Sequence, residues 1–258
     1  MQQVFEYAAL LEWHKANGRH SLPWRAFAHL DTAARVYRVW LAEILLQQTQ
    51  AERVVEYYQR MLERYPTLES LADTSYEEFF VYYQGLGYYS RARNLLACAR
   101  TVVREYGGVF PSETRALVGL PGIGPYTAEA IRAFGYDIPT LSIDTNLEKI
   151  FRRYYHGSRY TPLTKAEQAS ILEDYLTLEG VSAREVNAAL MDLGALWSKN
   201  SLSQIDWDAS PFTYCEFTRT RGAQEIAPVK VRSYFPVLDA QTLVIIHRDH
   251  REYYSSES

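Results

Sequence analysis

Val39–Leu46, Val-Trp-Leu-Ala-Glu-Ile-Leu-Leu, holds one polar residue, Glu43, among seven apolar ones. At helical spacing the apolar residues occupy every face, so the segment predicts a buried helix. A carboxylate there is desolvated, which favours its protonated, proton-donating form. The same residue could instead be a structural glutamate satisfied by a backbone or tyrosine partner. Leu141-Ser142-Ile143-Asp144-Thr145-Asn146 supplies a second carboxylate. Thr145 and Glu148 have capping-box spacing, which leaves Asp144 spare at a helix N-terminus, where the dipole favours its ionised form. The commoner role for such an aspartate is as the N-cap itself.

Two further segments suit contact with a polyanion. In Leu120-Pro121-Gly122-Ile123-Gly124-Pro125-Tyr126-Thr127-Ala128, two glycines bracket an apolar residue and Pro125 opens a helix. Gly122 and Gly124 permit close backbone approach, and the free N–H groups of the helix start point at an anion. A helix-hairpin-helix grips a DNA phosphate in this way, although a plain turn closed by a C-cap glycine has the same signature. Gln47-Gln48-Thr49-Gln50 and Gly85-Leu86-Gly87-Tyr88-Tyr89-Ser90-Arg91-Ala92-Arg93-Asn94 place amides, an aromatic pair and two arginines on turns. Those groups suit bases and phosphates; for Arg91 and Arg93 the usual alternative is a solvated helix face.

The elements that must position these residues are mainly helical. Main helices are expected at Val36–Gln48, Ala51–Tyr65, Ser90–Tyr106, Pro125–Phe134, Asn146–Tyr155, Lys165–Leu176 and Ala183–Trp197, after an amphipathic N-terminal segment, Met1–His20. Ser75-x-x-Glu78, Thr145-x-x-Glu148, Thr164-x-x-Glu167 and Ser182-x-x-Glu185 mark helix starts. Ser198–Gln224 is polar and irregular. Val229–Leu238 and Thr242–Arg248 then read as two strands across an Asp239-Ala240-Gln241 turn. The 258 residues, 47% hydrophobic and 22% charged, exclude wholesale disorder and coiled coil. No apolar run reaches the roughly 18 residues of a membrane span. Two cysteines, Cys98 and Cys215, make neither a disulfide framework nor a four-cysteine metal site. The net charge of −4 argues mildly against a nucleic-acid partner, a vote the local motifs oppose. The 21 tyrosines decide nothing by number alone.

The joint order is specific. A buried glutamate, Gln-Gln-Thr, Gly-Leu-Gly-Tyr-Tyr-x-Arg-x-Arg-Asn, Leu-Pro-Gly-Ile-Gly-Pro-Tyr-Thr and an aspartate at a helix start resemble the helix-hairpin-helix DNA glycosylase superfamily, and within it the MutY-type adenine DNA glycosylases. The resemblance covers about Leu22 to Trp197. It implies a mainly α, two-lobed core spanning 1–224, with lobes of roughly 30–135 and 1–29 plus 136–224, followed by a short C-terminal β-hairpin at 225–258. It implies base-excision repair: hydrolysis of the N-glycosidic bond of adenine opposite 8-oxoguanine or guanine. Two carboxyls with acidities pushed apart fit that task. By resemblance Glu43 protonates adenine, Asp144 stabilises or attacks the sugar cation, and Tyr126 and Asn146 orient the water and Asp144. Strand-cutting relatives carry a lysine where Tyr126 stands, so a monofunctional enzyme is expected. Gln48 and Tyr88 match wedge positions, with Thr49 beside them. Leu22, Trp24 and Arg25 match the adenine pocket's edge, Gly122 and Gly124 the phosphate-binding hairpin, and Arg91 and Arg93 the backbone contacts. The implied partner is double-stranded DNA, met by a monomer without a membrane, in the cytoplasm with the nucleoid if bacterial and otherwise inside the cell with DNA.

The chain departs from the resemblance in three places. A four-cysteine pattern normally holds an iron–sulfur cluster after the last core helix. Here Ser198 stands first and only Cys215 remains, so no cofactor and no metal site is expected. The stretch Arg25 to Val36 is longer than usual and lacks an Asp-Pro. The tail echoes only the opening hairpin of an 8-oxoguanine-reading domain and lacks its Phe-Ser-His motif, as a remnant or a start of that domain would. Two rival readings share the scaffold. A mismatch thymine or uracil glycosylase would share Glu43, Tyr126 and Asp144 but differ at Gln47-Gln48-Thr49 and Tyr88-Tyr89. A non-catalytic DNA-binding protein would not need a carboxylate in an apolar helix.

Overall fold

The computed structural model describes residues 4–26, 29–198, 205, 210–212, 215–220, 222, 225, 243–246 and 252–255. Its helices are α1 (Tyr7–Asn17), α2 (Thr32–Leu46), α3 (Ala51–Arg64), α4 (Leu68–Ala72), α5 (Tyr76–Tyr83), α6 (Tyr89–Tyr106), α7 (Thr114–Val118), α8 (Pro125–Ala130), α9 (Thr145–His156), α10 (Lys165–Leu176), α11 (Ala183–Trp197) and α12 (Glu216–Thr220). A 3-10 turn spans Pro23–Arg25, and α8 runs on into a π-turn at Ile131–Tyr136. Strands β1 (Leu243–Ile246) and β2 (Glu252–Ser255) pair antiparallel, Leu243 opposite Ser255. The expected strand Val229–Leu238 and its turn lie outside the described residues.

Two apolar cores form. The first gathers the inward stripes of α2, α3 and α6 among others: Val36, Trp40 and Leu41, then Val54, Tyr58 and Met61, then Leu95, Ala99 and Val102. Apart from the adjacent pair Trp40 and Leu41, their spacing of three or four residues is that of one helix face. The second gathers Phe5, Leu10, Leu147, Ile150, Phe151, Val186, Leu190, Leu193 and Trp197 from α1, α9, α11 and the N-terminal segment. Arg153 is buried beside that core. Its Nε and Nη2 donate to the Glu225 carboxylate at 2.5 and 3.0 Å, its Nη1 donates to the Trp197 carbonyl, and its guanidinium lies 4.6 Å from the Phe217 ring centroid. Phe212 meets Trp197 edge-on at 5.6 Å. Trp207 and Tyr214 lie outside the described residues.

The helix bounds differ from the sequence reading where local chemistry overrides periodicity. The first helix is Tyr7–Asn17, shorter than Met1–His20. α2 starts at Thr32 because Asp31 caps it, accepting from the Ala34 N–H at 2.9 Å. It ends before Gln48, which is left-handed with φ 56°. The helix expected over Pro125–Phe134 changes to π geometry at Ile131. This turn packs tightly on α2: a Cβ at Gly135 would come within 2.9 Å of the Val36 side chain. Arg35 reinforces the seam by donating to the Gly135 and Leu30 carbonyls at 2.7 and 2.8 Å.

Candidate active site

A cleft of about 950 Å³ is lined by α1, the 19–25 segment, α2, the start of α9 and α11. Glu43, Tyr126, Asp144 and Asn146 all line it, as do Gln48, Tyr88, Leu22, Trp24 and Arg25. α2 delivers Glu43. Its neighbours Val39, Trp40, Leu41, Ala42, Ile44 and Leu45 are buried, which fixes the helix and leaves Glu43 facing the cleft. Burial pushes the Glu43 carboxyl up to about 7; a hydrogen bond from the Tyr126 hydroxyl and the charge of Arg25 oppose the rise, and Asp144 adds to it. The Tyr126 phenol is itself held well above its usual range, by burial first and then by Glu43 and Asp144. Tyr126 therefore stays protonated and donates.

Asp144 corrects one expectation. It is not spare: it caps α9, its Oδ1 accepting from the Asn146 and Leu147 N–H groups at 2.8 Å each. The Thr145–Glu148 box does not cap this helix, because the residue before it already satisfies the same donors. One oxygen suffices for the cap. The other, Oδ2, accepts from Asn146 Nδ2 at 3.2 Å. Asn146 thus orients the carboxylate. Asn187, which sequence reasoning missed, holds the approach to Asp144: its Oδ1 accepts from Ser142 N and Oγ at 2.8 and 2.9 Å, and its Nδ2 donates to the Thr140 carbonyl at 2.8 Å. An amide on the inner face of α11 has no periodic signature to find it by.

Asp192 was missed for the same reason, and it builds the opposite wall. Its buried carboxylate accepts from Arg25 Nη1 and Nη2 at 2.9 and 3.0 Å, from Arg19 N and Nε at 2.8 and 2.7 Å, and meets His14 Nε2 at 3.1 Å. Burial alone would raise its pKa. The His14 bond and the charges and donors of Arg25 and Arg19 outweigh that and hold it well below the usual carboxylate range. Two-point pairing fixes a guanidinium in both position and plane, so Arg25 is an ordered wall. Trp24 packs edge-on against Tyr58 at 5.7 Å, and Arg25 N donates to the Leu22 carbonyl at 2.9 Å.

The expected DNA-facing residues divide. Gln48, Tyr88 and Arg93 are exposed and Thr49 is half-buried. Gly122 is exposed with φ 77°, a left-handed conformation that favours glycine, and Gly124 is the N-cap of α8 with open space where a Cβ would stand. Gln47 Nε2 reaches the Gly122 carbonyl at 3.3 Å and so ties the end of α2 to this turn. Arg91 is the exception. Only 2% exposed, it donates to backbone carbonyls within the protein, so a direct DNA-backbone contact is not what the structure shows. The iron–sulfur group does not fit this chain's donors. Cys215 lies in the second core and Cys98 in the first, and four thiolates are required. Among the described residues no group of three or more His, Cys, Asp or Glu is placed to hold a metal, and no helix is long and apolar enough to cross a membrane.

Comparison with known proteins identifies the family. The chain is 34% identical over 200 residues to an adenine DNA glycosylase of Buchnera aphidicola subsp. Baizongia pistaciae, covering 76% of this chain and 54% of that protein. It is 42% identical over 190 residues to the adenine DNA glycosylase of Mus musculus, covering 72% and 36%. The chain spans about half the length of several curated relatives it matches. Among solved structures it resembles a thermostable thymine-DNA glycosylase, with a TM-score of 0.69, 25% identity, and 83% and 95% of the two chains covered. An endonuclease III trapped as a covalent intermediate with DNA shares the fold at a TM-score of 0.59 and 20% identity, over 83% and 95%. Residues 41–173 match the family described as HhH-GPD superfamily base excision DNA repair protein, a span that takes in Glu43, the Gly122–Gly124 turn, Tyr126 and Asp144. With Glu43, Tyr126 and Asp144 converging on one cleft, the chain belongs to the HhH-GPD superfamily of base excision DNA repair proteins.

Proposed function

We propose that this protein is a monofunctional adenine DNA glycosylase acting on adenine opposite 8-oxoguanine or guanine in double-stranded DNA. The observation that carries the reading is the acid–carboxylate pair in the cleft: Glu43 with its pKa raised to about 7, hydrogen-bonded by Tyr126, and Asp144 ordered at the start of α9. Glu43 in its protonated form gives its proton to a ring nitrogen of the extruded adenine. The glycosidic bond breaks, its electron pair leaves with the base, and the sugar carries an oxocarbenium charge. The Asp144 carboxylate stabilises that charge. Water adds to the sugar, and its proton passes to the Glu43 carboxylate, which restores the acid. Tyr126 cannot form the Schiff base that an amine would form with the sugar, so the strand is left intact at an abasic site. The adenine specificity rests on the relatives' names and on Gln47-Gln48-Thr49 and Tyr88-Tyr89. The protein is further proposed to act as a monomer, without an iron–sulfur cluster and without a membrane, inside the cell alongside DNA.

Single-turnover base release from duplexes holding A opposite 8-oxoguanine, A opposite G and T opposite G tests the reading. Adenine release with uncut strands and no borohydride-trapped adduct supports it. Thymine release alone would assign the chain with its thymine-DNA glycosylase neighbour, and no release would leave a DNA-binding protein.

A further inference from the structure

Arg91 is a large cation buried in the first lobe, and the reaction has no use for its charge. Its hydrogen bonds converge on two turns. Nη1 donates to the carbonyls of Leu45 at 2.8 Å, Ile44 at 3.3 Å and Gln47, and reaches Thr49 Oγ1 at 3.1 Å. It thereby closes the last turn of α2, whose carbonyls have no partner within the helix, and holds the chain on either side of Gln48. Nε donates to the Tyr83 hydroxyl at 2.5 Å, and that hydroxyl donates onward to the Gly87 carbonyl at 3.1 Å, with the Tyr88 carbonyl at 3.4 Å. The guanidinium also lies 5.9 Å from the Tyr88 ring centroid.

The residues these turns present are unusual. Gln48 and Tyr88 are two of the three non-glycine residues with positive φ among the described residues, at 56° and 53°. Left-handed geometry is uncommon for such side chains and persists only where the surroundings impose it. Both side chains are exposed at the mouth of the cleft that holds Glu43. α3 braces the second turn from the other side: Arg53 donates to the Gly85 carbonyl, and the Tyr57 hydroxyl donates to the Gln84 carbonyl at 3.2 Å.

We propose that Arg91, acting through Tyr83, is a positioning residue for base extrusion: it locks the Gln47–Gln50 and Gly85–Tyr88 turns together so that Gln48 and Tyr88 enter a duplex as one preformed wedge. The proposal rests on the glycosylase reading for its chemistry, but wedge entry is measurable without chemistry. Extrusion costs a few kcal/mol of lost stacking and pairing, and a wedge whose halves are already fixed loses no further conformational freedom on entry.

The test is a double-mutant cycle. Arg91→Lys and Tyr83→Phe are each made in the wild-type chain and in a Gln48→Ala, Tyr88→Ala background. Two quantities are read: fluorescence of 2-aminopurine placed opposite 8-oxoguanine, for extrusion, and single-turnover adenine release, for chemistry. Thermal melting is followed alongside. In the wild-type background each substitution should reduce extrusion and release about tenfold; in the wedge-less background each should change them less than about twofold. An equal loss in both backgrounds would show that Arg91 only holds the lobe together, and overturns the proposal. So does an unchanged extrusion signal. Where Arg91→Lys fails to fold, Tyr83→Phe, which removes one hydroxyl, decides. A wild-type chain that extrudes 2-aminopurine yet releases no adenine refutes the glycosylase reading and leaves the wedge proposal standing on its fluorescence arm.

Discussion

Glu43 ties the proposed chemistry to a measurable pH dependence. A general acid with its pKa near 7 loses its proton as the pH rises through that value, so single-turnover excision should fall from about pH 7 upward. Glu43→Gln should bind DNA and lose excision by about a hundred- to ten-thousand-fold. The same substitution should stabilise the fold. The folded carboxyl titrates above its ordinary 4.5, so the native state binds more protons between pH 4.5 and 7 and loses stability as the pH rises through that window. Glu43→Gln is free of this loss and should melt higher at pH 8, its folded state favoured by about 3 kcal/mol, with no advantage below pH 4.5. Equal melting at pH 8 would contradict the buried position. Asp192 has the opposite sign. Its pKa is depressed, so its contribution is present above its ordinary 3.8 and disappears as the pH falls below that. Asp192→Asn strands Arg25 and should cost about 3 kcal/mol near neutral pH, read by denaturant unfolding, with the difference closing in acid. Glu43 was legible in the sequence because a lone carboxylate in an apolar helix is conspicuous. Asp192 was not, since its partners lie 167 or more residues away in the chain.

At the scale of elements, α9 shows how one side chain serves both fold and site. Asp144 caps the helix through Oδ1 and faces the cleft as a carboxylate. The two roles separate by substitution. Asparagine caps as well as aspartate, so Asp144→Asn should keep the melting temperature while excision collapses. Alanine loses the cap as well, at about 1 kcal/mol. A large fall in melting for the asparagine variant would show that the charge, and not the cap, holds α9. The helices with clear periodicity were readable: Lys165–Leu176 and Ala183–Trp197 are found with those bounds, and Thr164 and Glu167 form the reciprocal capping box their spacing suggests. Short α4 and α7 were not, because five residues carry too little periodicity. The π-turn after α8 was not legible either. It packs Gly135 closely against Val36, a tertiary contact to which local sequence is blind.

At the scale of the whole molecule, two apolar cores hold the walls of one cleft. The segment in which relatives are expected to hold iron is joined here by organic contacts: the Arg153–Glu225 pair, the Trp197 carbonyl and the Phe212 and Phe217 rings. Purified under anaerobic conditions, the protein should contain no stoichiometric iron or sulfide, and chelators should leave its melting unchanged; iron in fixed ratio would refute this. The count of two cysteines is read from composition alone, whereas the contacts of Arg153 with Trp197 and Glu225 join residues 44 and 72 positions apart and could not be read from spacing.

The placement of the two cysteines has a consequence for survival under oxidants. Cys98 is buried, and burial pushes its thiol up to about 12, while Cys215 is buried against the second core. The thiolate is the species that peroxide and alkylating agents attack. A folded chain with no accessible thiolate should therefore resist inactivation during the same oxidative episodes that convert guanine to 8-oxoguanine. Iodoacetamide at pH 7.5 should label neither cysteine until denaturant is added, and base release should withstand peroxide doses that label both cysteines of the unfolded chain.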